Sequence, residues 1–196
     1  MASEADKTFN PELWVQKYGD DLYGWAYHRT GKKVVAEDLV QETFLSALRS
    51  IDKFRGDSNE KTWLFSILKN KIIDYYRKAF VKYEMEESRM QRDHKETSFL
   101  NHFFDKNGGW NKNQRPSNWH DEEDNLLDDE EFRQILKMCL NSLPENWFAL
   151  INLKFMEERK TPEVCKELGI TPSNLWVIMH RAKLQLRACI EENFLD

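Results

Sequence analysis

Along the stretch Val34 to Asp52, apolar and polar positions alternate at intervals of three and four. Val40, Phe44, Ala47, Leu48 and Ile51 fall on one side, and Asp38, Gln41, Glu42, Leu45 and Arg49 on the other, which is the spacing of an amphipathic helix. A break at Phe54-Arg55-Gly56-Asp57-Ser58 leads into a second helix, predicted to turn Leu64, Leu68, Ile72, Tyr75 and Ala79 inward and Ser66, Lys69, Asn70 and Arg77 outward. Asp57, followed three residues later by Glu60, reads as the capped start of that helix. Residues 8–82 thus read as one helical domain.

From residue 83 to 128 the pattern lapses into Asn, Asp, Glu and Lys, with Gly108-Gly109 and Pro116, the composition of a linker. Phe99, Phe103, Phe104, Trp110 and Trp119 are nevertheless too apolar for a purely solvated one. Periodicity resumes over residues 129–196 with Phe132, Ile135, Leu136, Cys139 and Leu143, and Pro144 opens a further helix. Thr161-Pro162 and Thr171-Pro172 each place an N-cap residue before a proline at the first helical position. Gly169 supplies a tight turn between these two starts, and Val164, Leu168, Ile170, Leu175, Met179, Ala182 and Leu186 form a shared core. This is a helix-turn-helix, and the fold class expected is all-α: two small helical domains joined by a long acidic linker.

Composition adds that the chain can fill two cores, since 196 residues carry 40% hydrophobic and 13% aromatic content. No run approaches the roughly 18 apolar residues of a membrane span, and the N-terminus lacks the basic-then-apolar order of a signal peptide; a soluble, cytoplasmic protein with no membrane partner is expected. Cys139, Cys165 and Cys189 are odd in number and isolated in sequence, so reduced, mostly buried thiols are expected rather than a disulfide framework or a zinc site. The net charge of -5 conceals a local contrast. Nine Lys and Arg stand against four acids between Arg49 and Lys82, whereas eight acids and no base lie between Asp121 and Glu131. Such separation suits a chain in which one surface meets nucleic acid while another segment avoids or imitates it.

The segment AEDLVQETFLSALRSIDKFRGDSNEKTWLFSILKNKIIDYYRK, with DLVQE, FRGDS and TWL in order, closely resembles region 2 of extracytoplasmic-function (ECF) sigma factors of the sigma-70 family. Residues 140–190 resemble region 4 through LNSLPENW, the helix-turn-helix and HRAKLQLR. The resemblance implies promoter-specific initiation of transcription with core RNA polymerase and no enzymatic activity or cofactor of the chain's own. By the same resemblance Asp38, Gln41, Glu42 and Leu45 dock on the clamp helices of the largest polymerase subunit, and the second domain meets the flap region. The loop Phe54, Arg55, Gly56, Asp57, Ser58 would receive a flipped base of the -10 element, with Trp63, Ser66, Lys69, Asn70 and Arg77 nearby. That role suits a pocket, aromatics and a basic groove, although Asp57 as a mere cap and Trp63 as mere packing remain open.

Ser173, Asn174, Trp176, Val177, His180, Arg181 and Lys183 would meet the -35 element. Here the chain departs from relatives that carry a polar and basic triplet, having Trp176, Val177 and Ile178 instead. Apolar side chains can touch a thymine methyl but cannot make the bidentate guanine contact of an arginine. Direct reading of an unusual sequence and recruitment by another DNA-bound protein, conceivably a CRISPR-type effector, both stay open. The family further implies an anti-sigma factor, and an acidic linker that threads the polymerase's RNA-exit path.

Other classes fare worse. His94, His102 and His120 fit no zinc spacing, and the acidic run lacks the periodicity of a calcium loop. No nucleophile with a supporting base and no glycine-rich phosphate loop is present. A stand-alone helix-turn-helix regulator is the principal alternative, but no dimerisation or ligand-sensing domain accompanies it; an anti-activator that docks on polymerase without opening promoters is a further one.

Overall fold

The computed structural model describes residues 10–54, 58–89, 99–116 and 126–194, and the regular elements among them are helical. These are α1 (Trp14–Thr30), α2 (Lys33–Arg49), α3 (Glu60–Arg89), α4 (Glu130–Ser142), α5 (Glu145–Ile151), α6 (Thr161–Leu168) and α7 (Pro172–Phe194). The chain divides into two compact units, Met1–Tyr75 and Tyr76–Asp196, with the division inside α3.

In the first unit α1 ends at Gly31, whose positive φ of 67° lets its N–H return to the Tyr27 carbonyl at 2.8 Å; a left-handed residue there is what a glycine tolerates without strain. The core collects Trp14, Leu22 and Ala26 from α1, Ala36, Leu39, Val40 and Ala47 from α2, and Leu64, Leu68 and Ile72 from α3. Leu48, expected inward, is exposed, while Leu39 and Thr43 are buried. Thr43 is accommodated because its hydroxyl donates to the Leu39 carbonyl at 2.7 Å. The cap of α3 also differs from expectation: Asn59 Oδ1 accepts the Thr62 N–H at 2.7 Å. The helix therefore begins at Glu60, two residues later than a cap at Asp57 allows.

Glu60 ties the chain's start to α3. Its carboxylate accepts from Trp14 Nε1 at 2.9 Å, from the Tyr18 hydroxyl at 3.0 Å and from the Asn10 N–H at 3.3 Å. Burial pushes its pKa up, but these donors and the Lys17 charge outweigh it and hold the group below its ordinary range. A depressed folded pKa means that the tie contributes fully above the unfolded value and is lost as pH falls through the lowered one. Acidification is thus expected to release α1 in a step that Glu60→Gln removes, read as the difference in tryptophan fluorescence between the two proteins against pH. Superimposable curves for the two proteins would refute this role.

In the second unit Asp129 caps α4 through the Glu131 and Phe132 N–H groups at 2.7 and 3.1 Å. Phe132, Cys139 and Ile190 form a core on which Ile135, Leu136, Leu186 and Phe194 close. Cys139 and Cys189 are joined in a disulfide with Cα atoms 5.8 Å apart, which corrects the expectation of three reduced thiols; Cys165 is a buried free thiol. The sequence could not show this, because the pairing joins helices 50 positions apart in the chain.

The helix-turn-helix forms largely as expected. Gly169, at φ 73°, donates to the Cys165 carbonyl at 2.9 Å and ends α6. Thr171 caps α7 by accepting the Asn174 N–H at 3.2 Å. Thr161 differs: it lies inside the first turn of α6, behind Lys160, and accepts from Lys154 Nζ at 3.2 Å instead of capping. Arg159 steadies α6 from outside, 2.7 Å from Glu167 and 3.4 Å from Glu163.

Residues 99–116, expected within a linker, are folded onto this unit. Residues 99–103 are helical, and Phe104 and Trp110 pair as an antiparallel bridge around a turn in which Asp105 accepts the Asn107 and Gly109 N–H groups.

Candidate nucleic-acid and polymerase interface

On α2, Asp38, Gln41, Glu42 and Leu45 are all exposed. Their spacing of three, one and three residues lines them along one helix face. Thr43, Leu39 and Ala47 fix that face outward by filling the core behind it. Glu42 is 3.2 Å from Lys71 on α3, which sets the stripe's lateral edge. Two exposed apolar residues extend the stripe: Val34 four residues before Asp38, which the sequence reading left out, and Leu48 three after Leu45, which it had turned inward. For Val34 the signal was available, since it lies one turn before Asp38 on the same row; Leu48 borders both rows, three residues from Leu45 and from Ile51.

Of the loop expected to hold a flipped base, Arg55, Gly56 and Asp57 lie outside the described residues, while Phe54 and Ser58 are half-buried. Phe54 packs against Trp63 with ring centroids 4.8 Å apart, and the edge of Trp63 meets Trp14 at 5.9 Å. Trp63 is half-buried and so holds an oriented ring at the surface. Ser66, Asn70 and Arg77 follow it along one face of α3, with Lys69 beside them, all exposed. The Ser66 hydroxyl donates to the Trp63 carbonyl at 2.7 Å. Arg77 Nε donates to the Glu167 carbonyl at 2.6 Å.

On α7, Ser173, Trp176, Val177, His180 and Lys183 form one exposed row, with Trp176 59% exposed. Leu175, Ile178, Met179 and Ala182 fill the core behind them. Ile178, at 1% exposed, therefore does not belong to the apolar outer edge, which narrows to Trp176 and Val177. Two further candidates turn aside from the row. Asn174 is half-buried and its Nδ2 lies 3.4 Å from Glu84, and Arg181 is buried with Nη1 donating to the Tyr83 hydroxyl at 3.3 Å. Phe155, unnoticed in the sequence, is exposed beside the row with Lys183 Nζ 5.2 Å from its ring centre.

Among the described residues no group of three or more His, Cys, Asp or Glu is placed to hold a metal ion, and no helix is long and apolar enough to cross a membrane. His94 and His120 lie outside the described residues.

Comparison with known proteins gives these faces a context. The family model Sigma-70 region 2 matches residues 14–79, and Sigma-70, region 4 matches residues 133–186. The chain is 37% identical over 183 residues to a probable RNA polymerase sigma factor of Haemophilus influenzae, covering 92% of this chain and 90% of that protein. It is 28% identical over 181 residues to the ECF RNA polymerase sigma factor SigM of Bacillus subtilis, covering 92% and 95%. A solved structure of the sigma factor RpoE with the anti-sigma factor NepR from Bartonella quintana aligns over 92% of this chain and 96% of that one, at 22% identity and a TM-score of 0.40. With both regions matched in order and a relative above 30% identity along nearly the whole length, the chain belongs to the sigma-70 family as an ECF-type sigma factor that directs transcription initiation.

Proposed function

We propose that this sigma factor engages core RNA polymerase through the α2 stripe of Asp38, Gln41, Glu42 and Leu45, docked on the clamp helices of the largest subunit. The second unit meets the flap region. Phe54 and Trp63 hold an unstacked base of the -10 element, and Ser66, Lys69, Asn70 and Arg77 follow the adjoining strand. Ser173, Trp176, Val177, His180 and Lys183 enter the upstream major groove. The observation that carries the reading is the strict division on α2 and α7 between buried core positions and one unbroken exposed row. A row this regular, on the two segments matched to sigma regions, suits docking on a helix and insertion into a groove.

Arg181 and Asn174 contribute differently in this account. Arg181 braces α7 through Tyr83, and Asn174 reaches DNA only after leaving Glu84. An anti-sigma factor that covers these rows is the partner expected to hold the chain inactive.

Transcription in vitro with purified core enzyme and fragmented genomic DNA tests the reading. Added chain is expected to yield transcripts with discrete start sites sharing a -10 motif. Random initiation, or duplex DNA binding that needs no polymerase, would point instead to a stand-alone regulator. A shared upstream motif among those sites marks direct reading by Trp176 and Val177, and its absence marks recruitment by another DNA-bound protein.

A further inference from the structure

Cys139 of α4 and Cys189 of α7 are joined in a disulfide, and the surroundings of the two sulfurs differ. Cys139 is 0% exposed and shares a core with Phe132 and Ile190. Cys189 is half-buried, with the Nδ2 of the exposed Asn193 3.9 Å from its sulfur. The pair therefore has one closed, apolar end and one end toward the surface, and an external thiol or disulfide meets it at Cys189.

The bond bears on how α4 is held. This helix has 13 residues, a length that is marginal in water without packing. It buries Phe132 and Cys139, while Ile135 and Leu136 are half-buried; the next buried side chain is Leu143, at the C-cap. Phe132 meets the Phe194 ring at 5.1 Å and anchors the first turn, and the disulfide anchors the helix about two turns further on. With Phe132 facing Phe194 and Cys139 facing Cys189, the two helices run antiparallel. The helix α7 has other anchors: Leu175, Ile178, Met179 and Ala182 are buried. Arg187, in addition, lies 4.3 Å from the ring centre of Trp110 and donates from Nη2 to the Gln114 carbonyl at 2.8 Å. That folded segment is itself held where the edge of Phe99 meets Trp147 at 5.6 Å. Loss of the disulfide thus loosens α4 and leaves α7 in place.

A chain that works with RNA polymerase meets pools of glutathione and thioredoxin-type dithiols. A disulfide with one sulfur toward the surface exchanges with such pools, whereas an enclosed one resists them. We propose that Cys139 and Cys189 form a thiol–disulfide exchange site for glutathione-class thiols, and that its oxidation locks α4 onto α7. On reduction an external thiolate bonds to Cys189 Sγ, the protein S–S bond breaks, and Cys139 leaves as a thiolate that takes a proton. A second external thiolate attacks the glutathione sulfur of the mixed disulfide and releases Cys189, leaving two protein thiols and one glutathione disulfide. Oxidation runs these steps in reverse, and glutathione disulfide accepts the two electrons and two protons. Cys165, the buried free thiol, takes no part. The site lies outside both exposed rows, so its failure leaves the reading of polymerase and promoter contacts intact.

The full chain is equilibrated in buffers that span reduced to oxidised glutathione. Free thiols are counted after denaturation, and hydrogen exchange of the α4 and α6 amides is followed by mass spectrometry. One free thiol is expected at the oxidised end and three at the reduced end. Reduction should speed exchange in α4 at least about tenfold and in α6 less than about twofold, because exchange follows the free energy of local opening. Cys189→Ser should exchange at the fast rate in every buffer, and Cys165→Ala should keep the wild-type response. A count that stays at three, or at one, across the whole series overturns the exchange site. Equal α4 exchange in oxidised and reduced wild type overturns the lock, as does a Cys189→Ser chain as slow as oxidised wild type. Equal acceleration of α4 and α6 overturns it too, since the second unit would then be opening as a whole.

Discussion

Asp38→Arg is expected to abolish binding to core RNA polymerase while the chain stays folded. Asp38 is exposed on α2 with its neighbours Gln41, Glu42 and Leu45, and the core behind it is filled by Leu39 and Thr43, so reversal of its charge disturbs no packing. If this stripe meets basic residues of the polymerase, the change replaces an attraction by a like-charge contact costing several kcal/mol, an affinity loss of about 100-fold or more. Co-elution with core enzyme on size exclusion, alongside circular dichroism, measures both halves of the expectation. Unaltered co-elution would remove α2 from the docking surface. Arg49→Glu, beside the stripe on the same helix, serves to distinguish a local contact from a general charge effect.

The second large effect is expected at Trp63. Its ring packs on Phe54 and Trp14 yet remains half-exposed, so truncation removes a stacking platform as well as packing. Base–aromatic stacking contributes about 1–3 kcal/mol per base, and Trp63→Ala should lower open-complex formation about 10- to 100-fold. Its stability cost should stay below the about 3–5 kcal/mol of a fully buried aromatic. Permanganate reactivity of unpaired thymines reads the opening directly. Trp63→Phe should recover much of the signal, because a flat ring is retained. Equal opening by the alanine variant and wild type, at equal core binding, would reduce Trp63 to a packing residue.

Local periodicity carried much of the fold into view. Leu64, Leu68 and Ile72 on α3, and Val164, Leu168, Leu175 and Met179 in the helix-turn-helix, are buried as their spacing implies, because a helix with one neighbour must turn one row inward. The failures lie where a third element intervenes. Leu48 neighbours Phe44 and Ile51 on the helix surface but is exposed, while Thr43 and Ala47 take the buried positions. Ile178 falls beside Trp176 and Val177 in sequence, yet the rotation of about 100° from one helical residue to the next carries it into the core. The aromatics of residues 99–110 signalled burial without showing their receiver, since Arg187 and Trp147 reside on other helices and a charged side chain gives no periodic sign of a stacking role. Thr161 shows the limit of composition rules: Thr-Pro marks a helix start, but the side chain is drawn to Lys154 and leaves the cap position to Lys160.

The interleaving on α7 has a consequence for how such a chain changes over generations. Ser173, Trp176, Val177, His180 and Lys183 face outward, while Leu175, Ile178, Met179 and Ala182, immediately beside them, carry the fold. Substitution in the outer row alters what the helix can touch at little cost in stability, since exposed positions away from caps and networks tolerate exchange within about 0.5 kcal/mol. Inner-row substitutions have no such freedom. If the outer row reads promoter DNA as proposed, the set of genes such a factor commands can drift through a handful of codons while the protein that carries them remains the same folded object.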